Sequence, residues 1–439
     1  MAVIPGPAPA GAPYESSAAQ AHASDEPHAP AGTAYVWLLT IAQLGVYMAL
    51  VTPLGLSLSI QVSRLAPHHE EYLGYVTGVG GLVAVVVPPV VGRLSDRTRS
   101  RLGRRRPYLA AATVVGGAAL VVLAEAPDLL VLGLGWAMAQ LGWGTVVVLL
   151  LASQADRLPT DQRGKVSGLV GVVIQLAPVL GVLIAGSLPD NNLLLFLAPG
   201  VLGVLGMALF VGCLREPDHH ATRPVGERLS RKSLVAAYMF SPRENPDFAW
   251  NWLGKFLVMF GLSLTSTFTA FFLADRQHVS VHDVARTVAA LSGGSIVCAI
   301  AGAAVGGLLS DRLRKRRIFT LVGACAFAAG SLVMALAPSV PVIFAGALLS
   351  NLGVGLFSAV DQALALDVLP DRDTDAGRYT GIYNFATMVP QATAPLIAPL
   401  ILSLGADDGD KDYTLLYLVA AAFTLAGGLV VMRRVKSVR

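Results

Sequence analysis

The chain has 439 residues, of which 54% are hydrophobic and 14% charged, and its formal net charge is +4. Ordinary soluble domains carry roughly 25% charged residues. This composition therefore excludes a soluble globular protein and indicates one that lies in a lipid bilayer. In a bilayer the basic residues report orientation rather than nucleic-acid binding, so we expect no nucleic-acid partner.

The N-terminal residues and the cysteines point to no processing, metal or redox chemistry. Residues 1–33 are rich in Ala, Pro and Ser and hold no Lys or Arg, which predicts a disordered tail rather than a signal peptide. Cys213, Cys298 and Cys325 lie in or beside apolar segments without paired or metal-ligand spacing. We therefore expect no disulfide, no metal site and no cofactor.

Apolar segments of about 20 residues, the length that crosses the hydrocarbon core, recur along the chain. In chain order we predict membrane-spanning helices at 34–57, 72–92, 108–124, 129–153, 166–187, 191–213, 247–273, 284–308, 318–337, 340–362, 378–404 and 413–432. The predicted fold class is all-α, a polytopic membrane protein with twelve transmembrane helices.

The distribution of charge tests this count, because loops separated by an even number of crossings lie on one side. With twelve helices, 27 of the 32 Lys and Arg residues fall on the side that also holds both termini. The positive-inside rule makes this basic face cytoplasmic. The opposite, acidic face carries Glu70, Glu71, Glu125, Asp190 and Asp412. We expect a bacterial cell membrane protein with both termini in the cytoplasm.

The chain reads as a duplicated six-helix unit. Gly92-Arg93-Leu94-Ser95-Asp96-Arg97 recurs as Gly307-Leu308-Leu309-Ser310-Asp311-Arg312, and Asp156-Arg157-Leu158-Pro159 recurs as Asp367-Val368-Leu369-Pro370. The two repeats are displaced by 215 and 211 residues, which one duplication explains. We predict a first bundle at 34–214, a cytoplasmic linker at 215–246, a second bundle at 247–433 and a C-terminal tail at 434–439.

Seven arginines lie between residues 92 and 107, at the end of the predicted second helix and in the loop that follows it. A carboxylate there can meet the N-terminus of a neighbouring helix, so we expect Asp96 near the start of helix 11 and Asp311 near the start of helix 5, each beside two glycines that permit close helix approach. Such a latch can hold one conformation and release another. The predicted conformational gate comprises Asp96, Arg97, Arg101, Arg104, Gly164, Gly168, Asp311, Arg312, Gly377, Arg378 and Gly381.

These loops resemble the signature loop of the major facilitator superfamily. Ser95-Asp96-Arg97 with Arg101-Leu102-Gly103-Arg104-Arg105-Arg106-Pro107 is most similar to the glycoside-pentoside-hexuronide:cation symporter and sucrose transporter branch, as is the segment from Asp361 to Asp367. The resemblance implies two pseudo-symmetric six-helix bundles with alternating access to a cavity lined by helices 1, 4, 7 and 10.

Polar residues at mid-depth of these helices, and of helix 11, are the candidate substrate ligands. Amides that hydrogen-bond to hydroxyl groups, and aromatic rings that stack on the apolar face of a sugar, suit a neutral polyol. Buried amides can instead join helices to one another. The candidates are Gln43, Tyr47, Gln140, Trp143, Asn351, Tyr383 and Asn384.

Two charged residues lie within predicted helices, Lys255 in helix 7 and Asp361 in helix 10. An unpaired charge in the membrane is costly, so we expect an intramembrane pair or exposure to the cavity, with snorkelling of Lys255 to the interface as the alternative. The related symporters use acidic residues of helices 2 and 4 to bind their coupling cation. Helices 1–6 here have no mid-membrane Asp or Glu, which leaves facilitated diffusion or a different exchange chemistry as alternatives to cation coupling.

These features favour a monomeric secondary transporter for a small polar solute, with a sugar or glycoside preferred and a proton or sodium ion as the candidate coupling ion. The alternatives are an efflux antiporter for apolar or cationic compounds and a membrane scaffold or sensor without transport. The sequence shows no arrangement typical of an enzyme active site.

Overall fold

The computed structural model describes residues 32–98, 100, 103–188, 190–213, 240–370, 376–404 and 411–436. Within them, twelve helices are long and apolar enough to cross a membrane, which confirms the predicted number. The predicted tail and most of the predicted linker lie outside the described residues. The helices are α1 (Thr33–Leu65), α2 (Tyr72–Arg97), α3 (Arg106–Ala124), α4 (129–157), α5 (Thr160–Gly186), α6 (Asn192–Cys213), α7 (Pro246–Gln277), α8 (Ala285–Leu313), α9 (Arg316–Ala335), α10 (Val340–Asp367), α11 (Ala376–Leu404) and α12 (Tyr413–Arg434).

Several helices continue beyond their apolar segments, so the predicted boundaries were too narrow. The α1 helix extends to Leu65 rather than ending at 57, because Ser59 and Gln61 are buried by neighbouring helices instead of forming a loop. The α2, α4 and α10 helices likewise carry their charged ends, Asp96, Asp156 and Asp367, in continuous helix. Hydropathy marks the part of a helix that lies in hydrocarbon, whereas hydrogen bonding continues into the interface.

Two of the helices contain a short π-helical segment. In α1 it covers Pro53–Ser57, where the proline breaks the regular pattern of hydrogen bonds, and in α4 it covers Gln140–Gly144. Such segments occur often at functional sites. Both lie in the two first-half helices that the family resemblance assigns to the cavity.

The same helix packing recurs in the two halves, as a duplicated unit requires. In the first half α1 packs on α5 and α6, α3 on α6, and α4 on α2 and α3. In the second half α7 packs on α11 and α12, α9 on α12, and α10 on α8 and α9. The halves meet through α2 against α11 and α5 against α8, the pairs that the predicted pseudo-two-fold relation requires.

The contact between the halves is tight toward the acidic face. A Cβ placed on Gly74 of α2 would lie 2.2 Å from the Pro395 carbonyl oxygen of α11, and one on Gly186 of α5 would lie 2.3 Å from the Ala285 Cβ of α8. One continuous apolar cluster joins residues of both halves at this end, among them Leu73 and Ala398. The acidic-face side of the interface is therefore closed.

The same helices are apart toward the basic face. A Cβ placed on Gly168 of α5, Gly307 of α8 or Gly381 of α11 would meet no atom within 4 Å. The glycine pairs were predicted to bring these helix ends close together, and in this conformation Gly168 and Gly381 face open space. The structure is closed at the acidic face and open at the basic face.

Candidate functional site

The arginine-rich loop between α2 and α3 is fastened within the first half. The Ser95 hydroxyl donates to the Arg104 carbonyl oxygen at 3.1 Å and so folds the loop back on α2. The guanidinium groups of Arg104 and Arg105 both reach Asp156 Oδ2 at the end of α4, at 2.7 and 2.6 Å. Arg104, predicted as part of a gate between the halves, therefore joins helices of one half in this conformation.

The second half repeats this contact in a position that the sequence did not reveal. Arg316, the first residue of α9, pairs with Asp367 at the end of α10 and with Asp311 at 3.2 Å. Arg105 and Arg316 are displaced by 211 residues (316 − 105), as are Asp156 and Asp367 (367 − 156). The arginine and its acid were thus duplicated together, and the common displacement was the signal that could have identified the pair.

Asp311 was predicted to lie near the start of α5. In this structure its side chain is 66% exposed and pairs with Arg316 of its own half. Arg312 and Arg378 are described, and the Arg378 guanidinium lies 5.5 Å from the centre of the Tyr379 ring. Residue Arg101, the side chains of Asp96 and Arg97, and the surroundings of Gly164 and Gly377 fall outside what the structure describes.

Gln43 and Tyr47 lie one turn apart on α1 and point away from the neighbouring helix α6. Between them, Gly45 packs against Gly203 of α6, and a residue two positions away points roughly 160° from it. Gln43 is 3% exposed and its Oε1 atom has no hydrogen-bond partner among the described residues, whereas Tyr47 is half-buried. The structure leaves this amide oxygen available to a donor.

Trp143 packs between neighbouring helices in this conformation. Its side chain is fully buried, and a Cβ on Gly116 of α3 would lie 2.8 Å from the indole ring, while one on Gly203 of α6 would lie 3.2 Å from it. The substrate-stacking role stays a prediction, and these contacts favour a packing role instead. Gln140, which begins the π-helical segment of α4, is 9% exposed.

The two asparagine candidates of the second half have different environments. Asn351 of α10 is half-buried, and its Nδ2 donates to Ser295 Oγ of α8 at 3.0 Å and to the Ala347 carbonyl oxygen at 2.9 Å. It joins two helices, as the alternative interpretation of buried amides proposed. Asn384 of α11 is exposed.

The two predicted membrane charges are brought together in the second half. Lys255 Nζ of α7 lies 3.4 Å from Asp361 Oδ2 of α10, and the Asp361 side chain is 3% exposed. Because both residues are buried, the snorkelling alternative for Lys255 does not apply. Desolvation of two charges is compensated only when the remaining hydrogen bonds are also satisfied.

Residues of α7 and α11 supply hydrogen bonds to the carboxylate, while Asn251 Oδ1 has no partner among the described residues. The Tyr383 hydroxyl donates to Asp361 Oδ1, and Asn251 Nδ2 donates to the Tyr383 hydroxyl oxygen at 2.9 Å. The Lys255 ammonium also lies 4.1 Å from the centre of the Tyr383 ring, a cation–π contact. Tyr383 was predicted as a substrate ligand and instead completes the charge cluster, defined as Asn251, Lys255, Asp361 and Tyr383. Sequence reasoning missed Asn251, although it lies four residues before Lys255 and so on the same helix face.

An ion pair crosses between the halves at the acidic face. Lys411 Nζ, from the segment before α12, lies 2.8 Å from Glu71 Oε2, and His69 Nδ1 lies 2.9 Å from Glu71 Oε1. Burial raises the pKa of the Glu71 carboxyl, but the hydrogen bonds with Lys411 and His69 outweigh it and hold the pKa below its ordinary value. Lys411 also lines a cavity of about 390 Å³ between the halves, together with His68, Asp275 and Tyr413.

Comparisons with known proteins agree with this architecture. Residues 33–304 and 282–438 match the family model described as Major Facilitator Superfamily. The general alpha-glucoside permease of Schizosaccharomyces pombe is 33% identical over 95 residues, which is 22% of this chain and 17% of the permease. The sucrose transport protein SUC4 of Arabidopsis thaliana is 33% identical over 85 residues, 18% of this chain and 16% of that protein. The chain thus spans about a sixth of the length of these curated relatives.

Solved structures share the fold over nearly the whole chain. A point mutant of the nucleoside transporter NupG aligns with a TM-score of 0.74 at 13% identity, covering 92% of this chain and 100% of that chain. A bacterial homologue of the human lysosomal transporter Spinster, in an inward-facing and unoccupied conformation, aligns with a TM-score of 0.71 at 16% identity, covering 93% and 100%. With twelve membrane-length helices in two equivalent halves and a family match over nearly its full length, the chain belongs to the Major Facilitator Superfamily of membrane transporters.

Proposed function

We propose that this protein is a secondary transporter that moves a small neutral polyhydroxy solute, a sugar or a glycoside, across the cell membrane by alternating access. The observation that carries the proposal is the buried amide oxygen of Gln43, which has no partner among the described residues and lies one turn from Tyr47. An unsatisfied buried acceptor costs about 1–3 kcal/mol, a cost that a solute hydroxyl group removes by donating to it.

The choice of a sugar rather than another solute draws support from two sources. The curated relatives with local similarity are named as an alpha-glucoside permease and a sucrose transport protein. In addition, α1 carries the amide of Gln43, α4 carries that of Gln140 at the start of its π-helical segment, and neither helix has a charged side chain at mid-depth. This pattern suits a neutral solute better than an ion.

The positive-inside rule, applied to the 27 basic residues of one face, places that face in the cytoplasm. With this orientation, the open basic side and the closed acidic side make the structure an inward-facing conformation. The membrane is the cell membrane of a bacterium, and the transporter works as a monomer because one chain contains both halves.

Counterflow in proteoliposomes tests the function without assuming a coupling ion. The purified full-length chain is reconstituted with unlabelled solute inside, and entry of labelled solute is measured for a monosaccharide, a disaccharide, a glycoside and a nucleoside. We expect saturable counterflow of one of the three sugar classes. Counterflow of the nucleoside alone, or of an apolar cation included as a further arm, contradicts the proposal.

A further inference from the structure

The proposed recognition of a neutral solute by Gln43 and Tyr47 of α1 does not use the charge cluster of the second half. The cluster comprises Asn251 and Lys255 of α7, Asp361 of α10 and Tyr383 of α11, all buried. A charged pair within a membrane is costly to keep, and replacing a buried ion pair by apolar residues of similar volume is often neutral or stabilising. Packing alone therefore does not account for this cluster.

We propose that Asp361 is the proton-binding carboxylate that couples solute movement to the proton gradient, with Lys255 and Tyr383 controlling when its proton is held. This inference rests on the proposed transport function. It places the coupling group in the second half, whereas the related symporters bind their cation with acidic residues of helices 2 and 4. The mid-membrane parts of those two helices are without Asp or Glu in this sequence.

The contacts of Asp361 identify the state that the structure shows. Oδ1 accepts a hydrogen bond from Tyr383 and Oδ2 faces the Lys255 ammonium at 3.4 Å. A donor at each oxygen, one of them a cation, stabilises the ionised carboxylate. In the proposed cycle, the inward-facing conformation is therefore the state that follows release of the proton.

The surroundings of Asp361 restrict the groups that influence its proton. Among the described residues, the ionisable groups in contact with it are Lys255 from α7 and Tyr383 from α11. Arg316 of α9 pairs with Asp367 and donates to the Ala363 carbonyl oxygen, both at the basic-face end of α10. The α8 helix contributes no ionisable contact to Asp361 among the residues described.

The proton balance of the step is simple. A proton that enters from the acidic face converts the Asp361 carboxylate to the neutral acid, while Lys255 keeps its own proton, so the net charge of the cluster changes from zero to +1. Release at the basic face reverses this change, and no bond between heavy atoms forms or breaks. One proton moves with each transport cycle.

The step also has a mechanical consequence, since the cluster joins three helices. In the ionised state, Asp361 holds α10 to α7 through Lys255 and to α11 through Tyr383. Protonation removes the ion pair and weakens both links. The family resemblance assigns α7 and α10 to the cavity, so the proton state of Asp361 sets how firmly the cavity-lining helices of the second half are held together.

Two transport assays on one set of proteoliposomes separate coupling from solute movement. Counterflow reports solute exchange at equal pH, and accumulation is measured with an external medium one pH unit more acidic than the interior. For one proton per solute, we expect the wild type to accumulate the counterflow-active sugar up to about tenfold. D361N should retain counterflow and lose this accumulation, and Y383F should reduce it. D283N, which changes an exposed carboxylate in the loop before α8, is the control and should accumulate as the wild type does.

Each outcome either supports or overturns the inference. Equal accumulation by D361N and the wild type overturns it, and so does a wild type that shows counterflow without accumulation, a result that leaves the proposed function intact. If no sugar shows counterflow, the proposed function fails instead. The proton site is then judged by the pH dependence of the melting temperature between pH 5 and 8, where a profile identical in the wild type and D361N overturns it.

Discussion

At the residue scale, the buried polar and aromatic side chains divide into those that satisfy their neighbours and those that leave an atom without a partner. Asn351 bonds to Ser295 of α8 and to the Ala347 carbonyl oxygen of its own helix. Trp143 fills the space between α3, α4 and α6, but its Nε1 atom, like Gln43 Oε1, has no hydrogen-bond partner among the described residues. Hydropathy could place all three at mid-depth, but it could not tell which way each side chain points, because that depends on glycines of other helices.

The Gln43→Ala substitution tests the amide as a solute ligand. Loss of one hydrogen bond to the solute costs about 1 kcal/mol, so we expect the KM of sugar uptake to rise roughly five- to tenfold. Protein abundance in the membrane should stay at the wild-type level. The matched control is Gln277→Ala, since Gln277 is an amide at the end of α7 that bonds to the Leu273 carbonyl oxygen. An unchanged KM in Gln43→Ala excludes this residue from the site.

The Trp143→Ala substitution tests the packing role assigned to the indole. Removing a fully buried Trp leaves a cavity and costs about 3–5 kcal/mol of folding free energy, so the melting temperature in detergent should fall markedly. The KM of whatever protein remains folded should be close to that of the wild type. A variant of normal thermal stability with weakened solute binding contradicts the packing role.

At the element scale, the ion pairs of the two faces connect different parts of the molecule. On the basic face Arg104 and Arg105 join α4 to the loop before α3, and Arg316 joins α9 to α10, all within one half. On the acidic face Lys411 and Glu71 join one half to the other. The sequence indicated a latch at the basic face, but the side-chain partners depend on the conformation, and in this one the basic-face ends are separated.

The Asp156→Asn substitution should lower stability through the first half. It leaves Arg104 and Arg105 without their carboxylate, and Arg105 is almost fully buried. Breaking a buried pair costs up to about 3–5 kcal/mol, an upper bound here because Asp156 is about one-third exposed. The melting temperature measures the effect. Asp367→Asn makes the corresponding change to a more exposed pair in the second half and should have a smaller effect, so equal or reversed effects contradict the assignment.

Acid should favour opening at the acidic face. The pKa of Glu71 is lowered in this closed conformation, so the contact is fully present above the ordinary carboxyl pKa and is lost as the pH falls through the lowered value. A partly exposed pair contributes about 1 kcal/mol at most, which predicts an increase of up to about fivefold in the open population at neutral pH for Glu71→Gln. The open population is measured by the labelling rate of a cysteine introduced at Ser63, in a protein whose three native cysteines have been replaced.

A charge exchange controls this experiment. Glu71→Lys combined with Lys411→Glu should restore the labelling rate of the wild type, whereas either single reversal should raise it. Glu70→Gln alters the adjacent carboxylate and should have a smaller effect. Labelling of Ser63→Cys that does not respond to Glu71→Gln shows that the ion pair does not hold the halves together.

At the scale of the whole molecule, two equivalent bundles touch along α2 with α11 and α5 with α8. The number of helices, the duplication and these two pairs could be predicted, because charge alternation and repeat displacement report topology without requiring side-chain detail. The degree of opening at each face could not be predicted. The degree of opening depends on the distances between helices. These distances change from one conformation to another while the amino-acid sequence stays the same.

Glycines at the closed face provide a steric test of the whole-molecule motion. Gly74→Ala places a Cβ where the Pro395 carbonyl oxygen lies 2.2 Å away, so the acidic face should no longer close and turnover should fall at least tenfold. Labelling from the acidic face should rise correspondingly. The control is Gly307→Ala, where the added Cβ meets no atom within 4 Å. Normal transport by Gly74→Ala contradicts the closure inferred from this contact.

The equivalence of α2 with α8 and of α5 with α11 also bears on ancestry. A single six-helix unit would leave its second and fifth helices uncovered. Two identical copies would cover them in an isologous dimer, with the second helix of each copy against the fifth helix of the other across a two-fold axis. In such a homodimer every ionisable side chain inside the membrane is present twice. In one polypeptide the two halves can differ, and here α7 and α10 carry Lys255 and Asp361 while α1 and α4 are uncharged at mid-depth. Under the proposed coupling, one half would bind the driving ion and the other the solute.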